Sequence, residues 1–167
     1  SYYLQTVDID LNASNGQSWT PIGKYGSSYG TGLSLKYDGG GHTIGNVSIE
    51  PTSTYYGIFA TLTCPYSGYA KGEVSNLTVV YNQQADITAT TLQAGGIAAV
   101  GGTFTNCAVY DFKLTNLKLS NTSYIGGICG KIEYTQDIDS CSVYNMQITN
   151  STISITYIGG ISGGSDN

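Results

Sequence analysis

The side chains able to do chemistry in this chain are few. Four cysteines stand at positions 64, 107, 129 and 141, beside a single histidine, His42. Structural zinc asks for four N or S ligands in closely spaced pairs. No Cys-x-x-Cys occurs and His42 has no partner at ligand spacing, so His42 reads as the first residue of a strand beside a glycine corner. An even cysteine count permits disulfides. Cys107 and Cys141 fall at the same point of a repeated motif, which makes them a candidate disulfide pair. The alternative is a column of small buried thiols, because free cysteine packs as a compact hydrophobe. Sugar-cleaving chemistry needs paired carboxylates. The eleven acidic residues form close pairs only at Asp8/Asp10 and Asp137/Asp139, where strand alternation puts both members on one face. Such pairs read as a solvated outer face, and the chain reads as non-catalytic. Asp8, Asp10 and Asp38, with turn carbonyls, are candidate ligands for weakly held Ca²⁺; no other cofactor is expected. Of five Asn-x-Ser/Thr sites, Asn121 and Asn150 lie in expected turns and are the candidate glycosylation acceptors. Fifteen tyrosines are present, with Tyr2, Tyr3, Tyr25, Tyr29, Tyr66 and Tyr69 in loops or edges. Exposed tyrosine suits carbohydrate stacking or protein contact, or simply covers loop backbone.

The elements that position these residues come from a repeat. A paired glycine followed by an apolar residue recurs as Gly95-Gly96-Ile97, Gly126-Gly127-Ile128 and Gly159-Gly160-Ile161, with a degenerate copy at Gly57-Ile58. A second block recurs as Ile44–Ile49, Val74–Val79, Phe104–Val109 and Ile138–Val143. Its central residue steps Val47, Leu77, Cys107, Cys141, at intervals of 30, 30 and 34. The corner glycines Gly57, Gly96, Gly127 and Gly160 step by 39, 31 and 33. A period of this size marks a solenoid. About thirty residues carrying three strand-sized segments close into one coil, which stacks on the next in parallel register. In the coil that starts at Thr103 the expected strands are Thr103–Val109, Leu114–Leu119 and Tyr124–Ile128. Parallel register turns equivalent residues into ladders, expected along Val47, Leu77, Cys107 and Cys141 and along Ile58, Ile97, Ile128 and Ile161. The first strand is expected over Tyr2–Leu11, with Leu4, Val7, Ile9 and Leu11 inward.

Composition bounds the rest. The 167 residues carry 23 glycines, no arginine and a net charge of −5. That balance argues against nucleic acid and anionic membrane as partners. No apolar run reaches the length of a bilayer span.

The run Asp8–Leu11, Trp19–Gly23, Tyr37–Ile49, Tyr56–Leu62 and Gly72–Val79 resembles the opening of a GLUG-type repeat region. Gly95–Val100 with Phe104–Val109, and Gly126–Lys131 with Ile138–Val143, resemble further GLUG repeats. Such regions occur in large bacterial surface and adhesin-like proteins. The likeness departs from the pattern in using Ile where Leu is usual, and Ala60 and Ala99 where a closing glycine is expected. It implies a right-handed parallel β-helix, all-β, and no chemistry. The chain therefore reads as one β-solenoid domain over 1–167, with divergent coils over 1–54 and GLUG-like repeats over 55–167. It is expected to be uncapped at both ends and to lie outside the cell or at its surface. The expected partners are further copies of itself by end-to-end stacking, another surface protein or a glycan. A carbohydrate-binding or carbohydrate-active β-helix is the competing reading.

Overall fold

A computed structural model describes residues 1–23, 32–62, 71–134 and 136–166. The chain is an all-β solenoid of about four stacked coils, and every strand pairing within it is parallel. The coils that begin at Lys36, Glu73, Thr103 and Ile138 cross four shared walls in the same order. Sheet 1 holds Tyr2–Leu4, Lys36–Asp38, Glu73–Ser75, Thr103–Thr105 and Ile138–Asp139. Sheet 2 holds Ile9–Asp10, Thr43–Val47, Thr78–Tyr81, Ala108–Tyr110 and Ser142–Tyr144. Among the described residues, sheets 3 and 4 occur only in the last two coils, as Lys113–Thr115 with Gln147–Thr149 and Lys118–Leu119 with Thr152–Ile153. Sheet 5 runs through Tyr55–Tyr56, Gln93–Gly95, Ser123–Gly126 and Thr156–Gly159. Sheet 6 closes the coil with Phe59–Thr61, Ala98–Val100, Cys129–Glu133 and Ser162–Asp166.

The strands are shorter than the sequence pattern implies. Thr103–Val109 and Leu114–Leu119 are each cut in two by a corner, and the strand expected over Tyr124–Ile128 stops at Gly126. The cause is a residue in the left-handed region: Asn106 (φ 53°), Asp111 (φ 57°) and Asn116 (φ 59°) recur every five residues. Asparagine and aspartate tolerate that region better than other side-chain-bearing residues. Each such corner adds one residue to the alternation. Inward positions therefore run Phe104, Cys107, Val109, Phe112, Leu114, Leu117 and Leu119, all at most 2 % exposed, in alternating steps of three and two.

The register corrects one ladder. Leu77, Cys107 and Cys141 lie side by side, since Ala108 pairs with both Thr78 and Ser142. Val47 pairs with Tyr81, and it is the His42 carbonyl that takes the Thr78 N–H, at 3.2 Å. The Gly39–Gly41 corner occupies the turn that Asn76 makes one coil later, so the likeness of Ile44–Ile49 to Val74–Val79 is out of phase with the fold. The isoleucine column is continuous. Ile97 N–H donates to Ile128 O and Ile128 N–H to Ile161 O, both at 2.9 Å. Ile58, Ile97 and Ile128 are buried, and Ile161 at the end of the column is exposed.

The glycine pairs make close approach possible. A Cβ on Gly96 would strike the Gly127 carbonyl and the Val109 side chain; one on Gly127 would strike the Gly160 carbonyl and Val143. Among Gly57, Gly96, Gly127 and Gly160, Gly57 alone has a positive φ, at 151°. Two residues separate Tyr56 from Phe59, where three separate the paired Ala94 from Ala98. One glycine there spans what two span in later coils.

The first coil is also less buried than its alternation implies. Leu4, Val7 and Ile9 are exposed, and Leu11 alone of the four packs against the core.

Candidate functional site

The coil corners carry ladders of polar side chains. Asn106 Nδ2 donates to Asn76 Oδ1 at 2.9 Å, and Asn76 Nδ2 to Asp38 Oδ1 at 3.0 Å. A second column links Asn82, Asn46 and Asp10, each step 2.9 Å. Asn145 donates to Asp111 at 2.6 Å, and Asn150 to Asn116. Every one of these bonds joins one coil to the next.

The calcium candidates belong to this network. Asp8 Oδ1 accepts the Thr43 N–H at 2.9 Å and faces His42 Nδ1 at 3.3 Å. Asp10 Oδ1 accepts the Asn12 N–H at 2.7 Å as well as the Asn46 amide. Asp38 takes the Gly40 N–H at 2.9 Å and the Tyr2 hydroxyl at 3.2 Å besides Asn76. Donors aimed at a carboxylate are the reverse of what a cation requires, and no three acidic, histidine or cysteine side chains converge on one point among the described residues. The same donors hold the carboxyl groups down. The Thr43 N–H, helped by His42, depresses Asp8, and the Asn76 amide, the Gly40 N–H and Tyr2 depress Asp38. Asp137 and Asp139 are both exposed, and Asp139 accepts from Ser140 Oγ at 3.3 Å.

The thiols form the column expected of their motif. Cys107, Cys129 and Cys141 are free, with Cys107 and Cys129 buried and Cys141 half-buried; Cys64 lies outside the described residues. The Cys107 thiol beside it lowers Cys141 to about 7, against opposing contributions from burial and Asp139. The same neighbour, and then burial, push Cys107 up. Burial pushes Cys129 up to about 12. Cys141 is the more exposed member of the pair.

Of the candidate acceptors, Asn121 is exposed and its sequon partner Ser123 is fully buried, with Oγ donating to the Asn121 carbonyl at 3.0 Å. Asn150 is exposed but sits in a corner ladder. Tyr2 and Tyr3 are exposed; Tyr25, Tyr29, Tyr66 and Tyr69 lie outside the described residues.

The tyrosines that build a surface are different ones. Tyr110 stacks on Tyr144 with centroids 4.5 Å apart and planes at 16°, and Tyr124 on Tyr157 at 5.0 Å and 12°. The second stack belongs to an outward column on sheet 5, which reads Tyr55, Gln93, Tyr124, Tyr157 in register. Where Gln93 interrupts the tyrosines there is a groove of about 160 Å³, lined by Tyr55, Gln93, Val100, Tyr124, Lys131 and Glu133. The Lys131 ammonium stands 5.1 Å from the Tyr124 ring centroid. Rings, an amide, a cation and a carboxylate in one groove can stack on a ligand and hydrogen-bond it. A signal for it lay in the repeat, two residues before the first glycine of each block, where Gln93 is the one position not occupied by tyrosine.

Comparison with protein-family models, with characterised proteins and with solved structures finds no match.

Proposed function

We propose that this chain is a non-catalytic structural and adhesive β-solenoid working outside the cell or at its surface, of the GLUG-repeat kind, whose end coils receive further coils. The observation that carries this reading is the direction of its polar side-chain bonding. The corner ladders run along the solenoid axis and tie coil to coil, and Asp10, Asp38 and Asp111 are engaged in them. Both ends support the reading. Tyr2, Leu4 and Val7 are exposed in the first coil, and Ile155, Tyr157 and Ile158 in the last. Parallel strand edges flanked by apolar side chains are templates for another strand layer. That layer is supplied by a second copy or by more of the same polypeptide, and other surface proteins or glycans are the partners of the lateral faces.

Negative-stain electron microscopy and sedimentation over a concentration range test the assembly. Unbranched particles that lengthen with concentration, and that shorten in an Ile155→Lys/Tyr157→Lys variant, are the expected result. Single particles of one length at every concentration would remove self-stacking from the proposal.

A further inference from the structure

The groove on sheet 5 has a geometry that selects a class of ligand, independently of whether the ends stack. Tyr55 and Tyr124 pair with the same strand residue, Gln93, from opposite sides, so they are two coils apart. Parallel neighbours are spaced about 4.8 Å, which separates the two rungs by about twice that distance. Two van der Waals contacts take up about 7–8 Å of the gap. A flat aromatic ring therefore underfills it, whereas a puckered saturated ring, thicker by its axial hydrogens, fits. One face of Tyr124 is already covered by Tyr157, which fixes the ring across the axis and leaves its other face toward the groove. The wall opposite sheet 5 is supplied by sheet 6, where Val100 and Lys131 pair in register and Glu133 lies two residues further on. The groove thus sets the Tyr124 ring and Tyr55 at its two ends, with Gln93, Lys131 and Glu133 beside them.

We infer that this slot binds one pyranose unit of a neutral glycan, its C–H face against tyrosine and its hydroxyls on Gln93, Lys131 and Glu133. A carboxylate accepts two vicinal hydroxyls, an ammonium donates to a third, and an amide does both. The neutral class follows from charge: Glu133 offsets Lys131 within the slot, and the chain carries a net charge of −5 without arginine, which repels a polyanion. The neighbouring rungs continue along the solenoid, so a linear chain of sugars can follow the axis with one unit held between the tyrosines.

The test is an NMR titration of the whole chain with methyl β-glucopyranoside and with linear tetrasaccharides of glucose, N-acetylglucosamine, mannose and a hexuronic acid. Saturable shifts at Tyr55, Gln93, Tyr124 and Lys131 with a neutral member are expected. The decisive variant is Gln93→Tyr, which completes the tyrosine column and fills the slot with protein. Tyrosine is favoured at an outward strand position, so this variant should keep the melting temperature and circular dichroism of the parent while affinity falls at least tenfold. Lys131→Ala should weaken binding without abolishing it. The inference is overturned if no sugar gives saturable shifts, if only the hexuronate does, or if a folded Gln93→Tyr variant binds as well as the parent.

Discussion

Between Thr103 and Ile155 the backbone turns at regular five-residue steps, at Asn106, Asp111 and Asn116 in one coil and at Ser140, Asn145, Asn150 and Ile155 in the next. Among the described residues of the first 54, left-handed asparagines stand singly, at Asn12 and Asn46, beside a short 3₁₀ turn at Ala13–Asn15 and the Gly39–Gly41 corner, and pairing falls to single bridges such as Trp19 to Ile49. The regular region is held by backbone ladders over an apolar interior. The irregular one replaces missing ladder bonds with side chains. Buried Gln5 donates to Val7 O at 2.8 Å and Thr43 O at 3.0 Å and accepts from the Tyr37 hydroxyl at 2.9 Å. Gln83 accepts the Ile49 N–H at 2.9 Å and donates to the Ile49 carbonyl at 3.1 Å, replacing a strand on that side. Bulky rings fill the space: Tyr37 meets Phe59 edge-on at 5.7 Å, and Trp19 Nε1 donates to the Ile58 carbonyl at 3.1 Å. A repeat can thus lose its corner spacing and stay in register, provided that each orphaned backbone group finds a glutamine or a ring nitrogen.

The largest effect should come from the glycines that both regions lean on. A Cβ on Gly95 would lie on the Ala98 carbonyl oxygen and within 2.6 Å of Cys129 Cα, all backbone with nowhere to move. Gly95→Ala should abolish cooperative thermal unfolding, whereas Gly160→Ala, which meets nothing within 4 Å, should melt like the parent. Equal melting of both variants would show that the two sheets can part without loss.

Gln83→Ala comes next. It leaves the N–H of fully buried Ile49 unpaired, while the Ile49 carbonyl keeps the Tyr56 hydroxyl at 3.2 Å. Chemical denaturation should show a loss of about 1–3 kcal/mol, the cost of one orphaned buried donor. A loss below about 0.5 kcal/mol, the scale of a bland surface change, would mean that water substitutes for the glutamine.

In the regular region Asn106→Ala should cost about 1–2 kcal/mol, because alanine resists the left-handed corner. Asn106→Gly should recover most of it, leaving only the lost bond to Asn76. Equal costs for both would assign the effect to the ladder bond and not to the backbone.

The smallest effect is a pH dependence confined to the first coils. Asp8 and Asp38 are depressed in the folded state. Their contribution is present above the ordinary carboxylate value of about 4 and is lost as pH falls below it through the folded values. Trp19 is the only tryptophan, and its fluorescence should change below about pH 4 while far-UV circular dichroism persists. A Trp19 signal unchanged to the acid end of the titration would separate these carboxylates from the docking of the first coils.

Much of the architecture was legible in the chain itself. The glycine–glycine–isoleucine blocks carry the period, the isoleucine column and the parallel stacking. They do so because an in-register solenoid forces equivalent positions to share size and polarity. The five-residue rhythm of Asn106, Asp111 and Asn116 was equally present, but it hides under strand-like alternation until the left-handed corners reveal it. What only the tertiary structure decided is phase. A missing residue at Gly57 and a glycine corner at Gly39–Gly41 shift the register without erasing the motif, which is why Val47 lies beside Tyr81. The slot is likewise a product of stacking. Tyr55 and Tyr124 are 69 residues apart in the chain, and only winding, with strand spacing set by backbone hydrogen bonds, brings them to opposite sides of Gln93.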